Sequence, residues 1–512
     1  MKTEEEGSLT IFSALSLLLI LSFLLALLEG ARVSGLQMMD TLAADTGMDC
    51  VAAEYQTVLW DKYHLLYLDG AYGWDQFDEN KVSSRVMDYV AGNLSETGEN
   101  SVFRTKLCEA SLLEYMFATD NDGTGMLRQA SAYMKRHLPE DVAKKMYQQY
   151  QDGKKAEADG KTEYSVEDAD QAIINAKKEK EQADQNDKEG APQEEAGEKN
   201  IQDNENNHAQ DAEDGKKESP IQIVLQLKQN ALLGMTVSDM SSLSAKAVEA
   251  KDIVSNRQCE TGRYDMKKAE KMNVSDRVMV LEYIGKHFSD YTEPGKGDLT
   301  YEMEYILCGK DTDKKNLESS IERLMRMREA ANVAHIIADR EKLNQTLMIA
   351  TSLAGFSGNP AVVKIVQIGV VAAWAYVESI LDLRTLLSGG KISLIKSAAE
   401  WTTDLKKLGE IVTGEGKARE CKNGLSYQAY IKQLLFAMKQ KKMAYRMMDI
   451  MELAMQKEQN GKNARMDHMI DNMICELRFE AKPLFAKRSL YGDMEMGGYM
   501  FFKRQKLSYI NE

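Results

Sequence analysis

The chain has 512 residues, with 65 Lys+Arg against 80 Asp+Glu, a formal net charge of −15, and 43% hydrophobic residues. At about 150 residues per domain this allows two to four domains or one large elaborated one, and the apolar content excludes wholesale disorder. The acidic balance argues against a nonspecific nucleic-acid binder, which needs a basic footprint. Six cysteines are too few for a disulfide scaffold, and six prolines beside 30 methionines favour helix.

The first informative stretch is Leu9–Leu28, LTIFSALSLLLILSFLLALL, 20 residues without a charge. As a helix rising about 1.5 Å per residue it spans a bilayer core of about 30 Å. A cleaved secretory signal would need a basic start, a shorter apolar core and a small-residue exit. Here the start is MKTEEEG and the exit LLEGAR. A buried core helix would show a polar face, and none is present. An uncleaved anchor is therefore the preferred reading, with residues 1–8 as a short cytoplasmic leader. The Lys/Arg count barely fixes orientation, since Lys2 lies on one side and Arg32 on the other. The short leader and long following chain place the main body outside a single-pass cell membrane. Glu29 and Arg32 fall at the membrane boundary, as interface anchors or as partners for neighbouring helices.

The local residues resemble a known pattern. Gly7-Ser-Leu-Thr-Ile-Phe12, ahead of a long apolar helix, is similar to a prepilin-type segment, whose charged leader ends in Gly. That likeness implies a processing site between Gly7 and Ser8. Leu28-Glu29-Gly30-Ala31-Arg32 resembles the Glu-x-x-Arg close of TadE/TadG-like pseudopilins of tight-adherence pilus systems. The Tyr-rich run Ala53–Tyr67 resembles the stretch that follows their anchor. Pilin segments usually carry Glu five residues after the Gly, and this chain has Phe12 there.

Ser34–Lys62 has helical spacing and is expected to continue the anchor outward, with Gly47 a weak point. Tyr63–Leu68 reads as a short strand ended by Asp69-Gly70. Val102–Tyr115 and Gly125–Tyr150 read as amphipathic helices, with a break at Leu138-Pro139. Residues 29–150 thus form a membrane-proximal helical region.

Residues 151–219 differ in kind. They hold 10 Lys against 21 Asp+Glu and contain no Phe, Trp, Leu or Met. Such a segment cannot bury enough apolar surface to offset its ordering entropy, so a disordered acidic insert is expected, with a short helix around Val166–Lys180. The rest of the chain is nearly balanced, at 55 basic and 59 acidic residues.

Residues 220–512 read as a mainly helical α+β region, expected to pack with 29–150. The fold class overall is mainly α with small β elements. Helices are expected at Pro220–Leu233, Met240–Val254, Asp276–Tyr291, Asn316–Lys342 and Tyr427–Glu458. Leu299–Leu307 reads as a strand with Glu302 and Glu304 on a solvated face. Ile474–Leu484 alternates Cys475, Leu477, Phe479 and Ala481 against polar neighbours, a half-buried strand with Tyr499–Ile510 as partner. Ala361–Leu383 is apolar but interrupted by Lys364, Gln367, Glu378 and Asp382, which favours a buried helix over a second span. Lys364 and Glu378 are expected to reach water from its ends.

A second resemblance lies in the back half. It is carried by Met303-Glu-Tyr-Ile-Leu-Cys-Gly-Lys310, Asn316-Leu317, Arg326-Met-Arg-Glu-Ala-Ala-Asn332, Ala373-Trp-Ala-Tyr-Val-Glu-Ser-Ile-Leu-Asp-Leu-Arg384 and Leu425-Ser-Tyr-x-x-Tyr430. These runs resemble a family of membrane-anchored bacterial proteins found with tight-adherence pilus genes. The likeness implies placement rather than chemistry.

Catalytic and metal motifs are not found. The six histidines form no H-E-x-x-H, the cysteines no C-x-x-C, and there is no G-x-S-x-G or Walker loop. Asp122-Gly-Thr-Gly125 reads as a turn. No cofactor, metal, small-molecule substrate or nucleic-acid partner is expected. Outside the cytoplasm, Cys50/Cys108 and Cys259/Cys308 are candidate disulfide pairs, with buried free thiols the alternative. These observations point to a noncatalytic, membrane-anchored, extracytoplasmic component of a tight-adherence (Flp/Tad-type) pilus or related secretion apparatus, contacting its proteins by helix packing. The alternative is a cell-surface enzyme or envelope sensor whose site the sequence hides.

Overall fold

The computed structural model describes residues 2–95, 102–159, 165–189, 219–248, 252–264, 272–409, 416–458, 461–484 and 498–509. In chain order its first elements are helix α1 (Lys2–Ala52), α2 (Thr57–Tyr63), strand β1 (Leu68–Asp69), α3 (Glu79–Ser95), β2 (Lys106–Phe117), α4 (Asp120–His137), α5 (Glu140–Asp159) and α6 (Val166–Glu189). There follow α7 (Pro220–Leu227), α8 (Leu232–Thr236), α9 (Val274–His287), α10 (Glu302–Cys308), α11 (Asp313–Ala338), α12 (Arg340–Ala354), α13 (Pro360–Leu387), α14 (Tyr427–Phe436), α15 (Gln440–Gln456), β3 (Met469–Ala481) and β4 (Tyr499–Ser508). The mainly α architecture with small β elements is present.

The chain divides into two compact units that do not follow the expected regions. The first combines Met1–His137, Glu249–Asp276 and Lys439–Glu512; the second combines Leu138–Val248 and Arg277–Met438. The C-terminal strands thus complete the N-terminal unit.

In the first unit, β3 is the spine of an antiparallel sheet. One edge pairs with β2, the other with β1 and β4. The alternation expected for Cys475, Leu477, Phe479 and Ala481 is the observed burial pattern, and β4 is the expected partner. Their buried face joins Leu36, Ala43, Ala44, Met48 and Val51 of α1 and Val82, Val86, Val90 and Leu94 of α3 in one core. The apolar spacing at i, i+3, i+4 and i+7 puts these side chains on one helix face. Gly47 is a contact point rather than a break. A Cβ there would come within 2.4 Å of Val90 Cγ2, so α1 and α3 approach closely because that side chain is missing.

Residues 102–115 are not a helix. From Lys106 the chain forms β2, and its bulges explain the misleading pattern. Register shifts at Leu107/Glu109 and Leu112/Glu114 put the buried Leu107, Leu112 and Tyr115 five and three residues apart. Bulges break the period of two and leave spacing that imitates an amphipathic helix.

In the second unit, α13 is the central element. It packs on α11, α12, α6 and α7, and its residues from Val366 to Leu383 are buried without exception save Ile368. Its length and apolarity would suit a membrane span, but the apolar faces meet protein. The expected helix at Val166–Lys180 is present and longer, and Val166, Ala169, Ile173 and Ala176 are buried on it. Residue 169 sits against α13 at Gly369, where a Cβ would lie 2.1 Å from that of Ala169. The insert expected to be disordered therefore contains packed helix, as α6 shows; residues 190–218 lie outside the described residues.

Four further expectations are corrected. Leu299–Leu307 is not a strand; α10 occupies most of it, buried on all sides from Met303 to Cys308. Met240–Val254 is only a 3-10 turn at Met240–Ser242 plus irregular chain in its described part. Asn316–Lys342 breaks at Asp339, whose carboxylate accepts from the amides of Glu341 and Lys342 and caps α12. Tyr427–Glu458 breaks between α14 and α15, where the Arg277 guanidinium donates to the carbonyls of Phe436 and Met438.

Candidate functional site

Helix α1 is continuous through the apolar run and into the core of the first unit. Within the window apolar enough to cross a membrane none of the side chains is buried. Beyond Leu28 burial begins at once, with Glu29, Arg32 and Leu36 one turn apart on one face. Gly7 and Ser8 lie on the first turns of this helix.

Glu29 and Arg32 pair with each other, and the pair is buried. Arg32 Nη1 donates to Glu29 Oε1 at 2.8 Å, the i, i+3 distance of one helical turn. Arg32 also donates from Nε to the Val102 carbonyl at 2.6 Å and from Nη2 to the Lys482 carbonyl at 3.0 Å. Glu29 Oε1 accepts from the Leu484 amide at 3.3 Å. Both residues are thus held by internal contacts. They tie the exit of the apolar helix to the ends of the sheet. Arg suits this because its planar fork can serve a carboxylate and two carbonyls together.

The second unit contains a charge network with no solvent exposure at its side chains. Arg328 of α11 and Lys396 of the loop after α13 face Glu378 and Asp382 of α13. Lys396 Nζ lies 2.6 Å from Asp382 Oδ1 and pairs with Glu378. Arg328 reaches Asp382 Oδ2 at 3.0 Å, the carbonyls of Ser393 and Leu394, and the Tyr430 hydroxyl at 2.8 Å. Asn332 donates to Ser379 and Asp382. Glu378 also accepts from the amides of Thr402 and Thr403. Burial raises the Asp382 carboxyl, but Arg328 and Lys396 outweigh it and hold it below its ordinary value. Two cations matched by two anions make burial tolerable, and the pairing fastens the 388–404 segment to two helices. Glu378 was expected to reach water; it does not, whereas Lys364 does.

Glu302 and Glu304 are the other departure. Glu304 is fully buried. Its Oε1 accepts from the Tyr427 hydroxyl at 2.7 Å and the Tyr291 amide at 2.9 Å. Glu302 accepts from the amide and hydroxyl of Ser289. Neighbouring Asp290 accepts from Thr292 and Glu293 and from Gln428. These carboxyl groups hold the 288–301 turn. Burial pushes Glu304 up to about 8, with Tyr427 opposing and Asp290 adding to it.

The first unit has its own network. Arg257 grips Glu452 through both terminal nitrogens, at 2.5 and 2.7 Å, and reaches Asp467 at 2.5 Å. Burial raises Asp467, yet Arg465 and Arg257 bring it down to about 2. Thus 252–264, distant in sequence, is fastened to α15 and the approach to β3.

The candidate disulfides are not formed. Cys108 Sγ lies 3.5 Å from Glu480, Cys259 Sγ faces the Val254 carbonyl, and Cys308 shares a hydrogen bond with Ser320; Cys50 likewise is a thiol. Among the described residues no cluster of His, Cys, Asp or Glu is disposed to hold a metal ion.

The residue runs quoted for the second resemblance meet in these networks. Arg328, Asn332, Glu378, Ser379, Asp382 and Tyr430 form one, and Glu304 with Tyr427 another. What sequence reading missed is Lys396, the cation that completes the first; it stands alone between apolar and small residues and carries no motif. A model described as a family of unknown function (DUF5702) matches residues 210–481, more than half of the chain, starting well beyond the apolar helix. No curated protein and no solved structure matches.

Proposed function

We propose that this chain, which belongs to the DUF5702 family, is a noncatalytic, membrane-anchored, extracytoplasmic component of a tight-adherence pilus or related secretion apparatus. The observation that carries the reading is α1: one helix of 51 residues, apolar and unburied over Leu9–Leu28, then locked into a folded unit by Glu29 and Arg32. At about 1.5 Å per residue it has length for a bilayer and several further turns. The pilus assignment is supported by the likeness of Gly7–Phe12 and Leu28–Arg32 to pilin-type segments. The buried state of the principal charge network supports a structural rather than catalytic use, because a substrate has no route to side chains without exposure.

The test is deletion in the native host, complemented by the full chain or by one lacking residues 9–28. Pilus assembly should be lost and return only with the anchored chain. Glu304→Gln, which retains the anchor, should assemble normally. Unchanged piliation of the deletion strain would overturn the proposal, and rescue by the anchorless chain would remove α1 from it.

A further inference from the structure

Arg32 and Glu29 fix three chain segments at the height where the apolar run ends. Those segments are the residues before β2, the residues after β3 and, through the register Ala481↔Tyr499, the start of β4. Large apolar side chains are exposed there. Val102, Phe103, Leu484 and Met500 are between 37% and 50% exposed although large and apolar. Phe103 lies over Gly35, at the distance where a Cβ on that glycine would clash with its ring. Basic Arg104, Lys106 and Lys482, all exposed, alternate with them.

The outward face of β4 has a gradient. It reads Met500, Phe502, Arg504, Lys506 from the α1 exit outward, every one exposed. A strand rises about 3.3 Å per residue, so the change from apolar to charged takes place within roughly 13 Å. Apolar side chains mixed with Lys and Arg suit the boundary between headgroups and acyl chains, where the apolar part buries and the cations meet phosphate.

We propose that Val102, Phe103, Leu484 and Met500 form a lipid-facing collar around the exit of α1, seated in the headgroup region of an anionic bilayer, with Arg104, Lys106 and Lys482 on its phosphates. The proposal rests on the reading of α1 as an anchor. The collar makes the first unit lie down on the membrane rather than swing on its helix: a second set of contacts removes the rotational freedom that one helix would leave.

The experiment uses the full chain reconstituted in vesicles of phosphatidylcholine and phosphatidylglycerol. The lipid carries bromine either near the headgroup or near the end of the acyl chain, and bromine quenches tryptophan at its own depth. The parent chain, with Trp60, Trp74, Trp374 and Trp401, supplies the baseline. Single variants Phe103→Trp and Met500→Trp report on the collar, Leu19→Trp on the anchor, and Lys506→Trp on the far end of β4. The collar predicts that emission added at 103 and 500 falls on the order of twofold with shallow bromine, as at the headgroup–acyl boundary. Leu19→Trp should respond to deep bromine, and Lys506→Trp to neither. Quenching at 19 with none at 103 and 500 overturns the collar and leaves the anchor standing. Quenching at 506 equal to that at 103 also overturns it, since the sheet would then lie flat. No quenching at 19 overturns the anchor and the collar together.

Discussion

Asn121, Asp122 and Gly123, at the head of α4, have φ of 52°, 60° and 75° in succession. Left-handed backbone costs roughly 1–2 kcal/mol per residue for most side chains, less for Asn and Asp, and almost nothing for Gly. The run N-D-G is therefore the sequence that tolerates this turn, which the Asp122-Gly123 signal announced. Asp120 anchors it by accepting from the amides of Phe117 and Gly262 at 2.7 and 3.1 Å. A Cβ on Gly123 would sit 2.8 Å from that of Ala444. Asn121→Gly should change stability by no more than a few tenths of a kcal/mol, whereas Gly123→Val should lower it by about 1–3 kcal/mol through strain and overpacking. Thermal unfolding in detergent micelles distinguishes the two. Glu304 makes a pH prediction. Its folded carboxyl titrates near 8, above its ordinary value of 4.5. Its stabilising share is whole below the ordinary value and is lost as pH rises through 8. Wild-type stability should therefore fall between about pH 5 and about pH 9, while Glu304→Gln should lose on the order of a few kcal/mol less over that range. Equal slopes for both would contradict the assignment.

Among the elements, α11 and α13 are joined by charge as well as by apolar packing. Removing Asp382 leaves Arg328 and Lys396 buried against one carboxylate, so Asp382→Ala should cost about 3–5 kcal/mol. Replacing a cation together with its anion, Arg328→Met with Asp382→Leu, should cost less than the single change, because no charge is left unmatched. Urea titration followed by tryptophan emission, which reports on Trp374 and Trp401 beside the network, reads the difference. Legibility of the elements followed the same physics. Long helices and the β3 alternation were plain because one face is buried and the other wet. Strand β2 was hidden by its bulges, and α10 by burial on every side, which erases periodicity. The break after α14 has neither Gly nor Pro; it is made by Arg277 from elsewhere in the chain, and no local residue announces it. Of the candidate site, Glu29 and Arg32 were found from their position at the end of the apolar run. Their partners, the carbonyls of Val102 and Lys482, are backbone groups that carry no sequence signal. The cysteines pointed to disulfides only through the expected compartment, and the fold sets Cys108 and Cys308 against other partners.

At the scale of the molecule, the charge of −15 separates into parts. Residues 151–219 hold most of the excess, and the remainder is close to balance. The acidity therefore describes an insertion, part of it helical and packed in the second unit, and says little of what the folded surfaces meet. The apolar stretch of α1 is left unburied, with none of its most apolar window covered by the described residues. Protease accessibility on intact cells, followed by membrane fractionation and detection of both chain ends, tests the anchored, outward-facing arrangement most directly. External protease should remove the body beyond residue 30 and leave a short N-terminal fragment in the membrane that alkaline carbonate does not release. A body protected from external protease while the membrane is intact, or a chain released whole by carbonate, would contradict it.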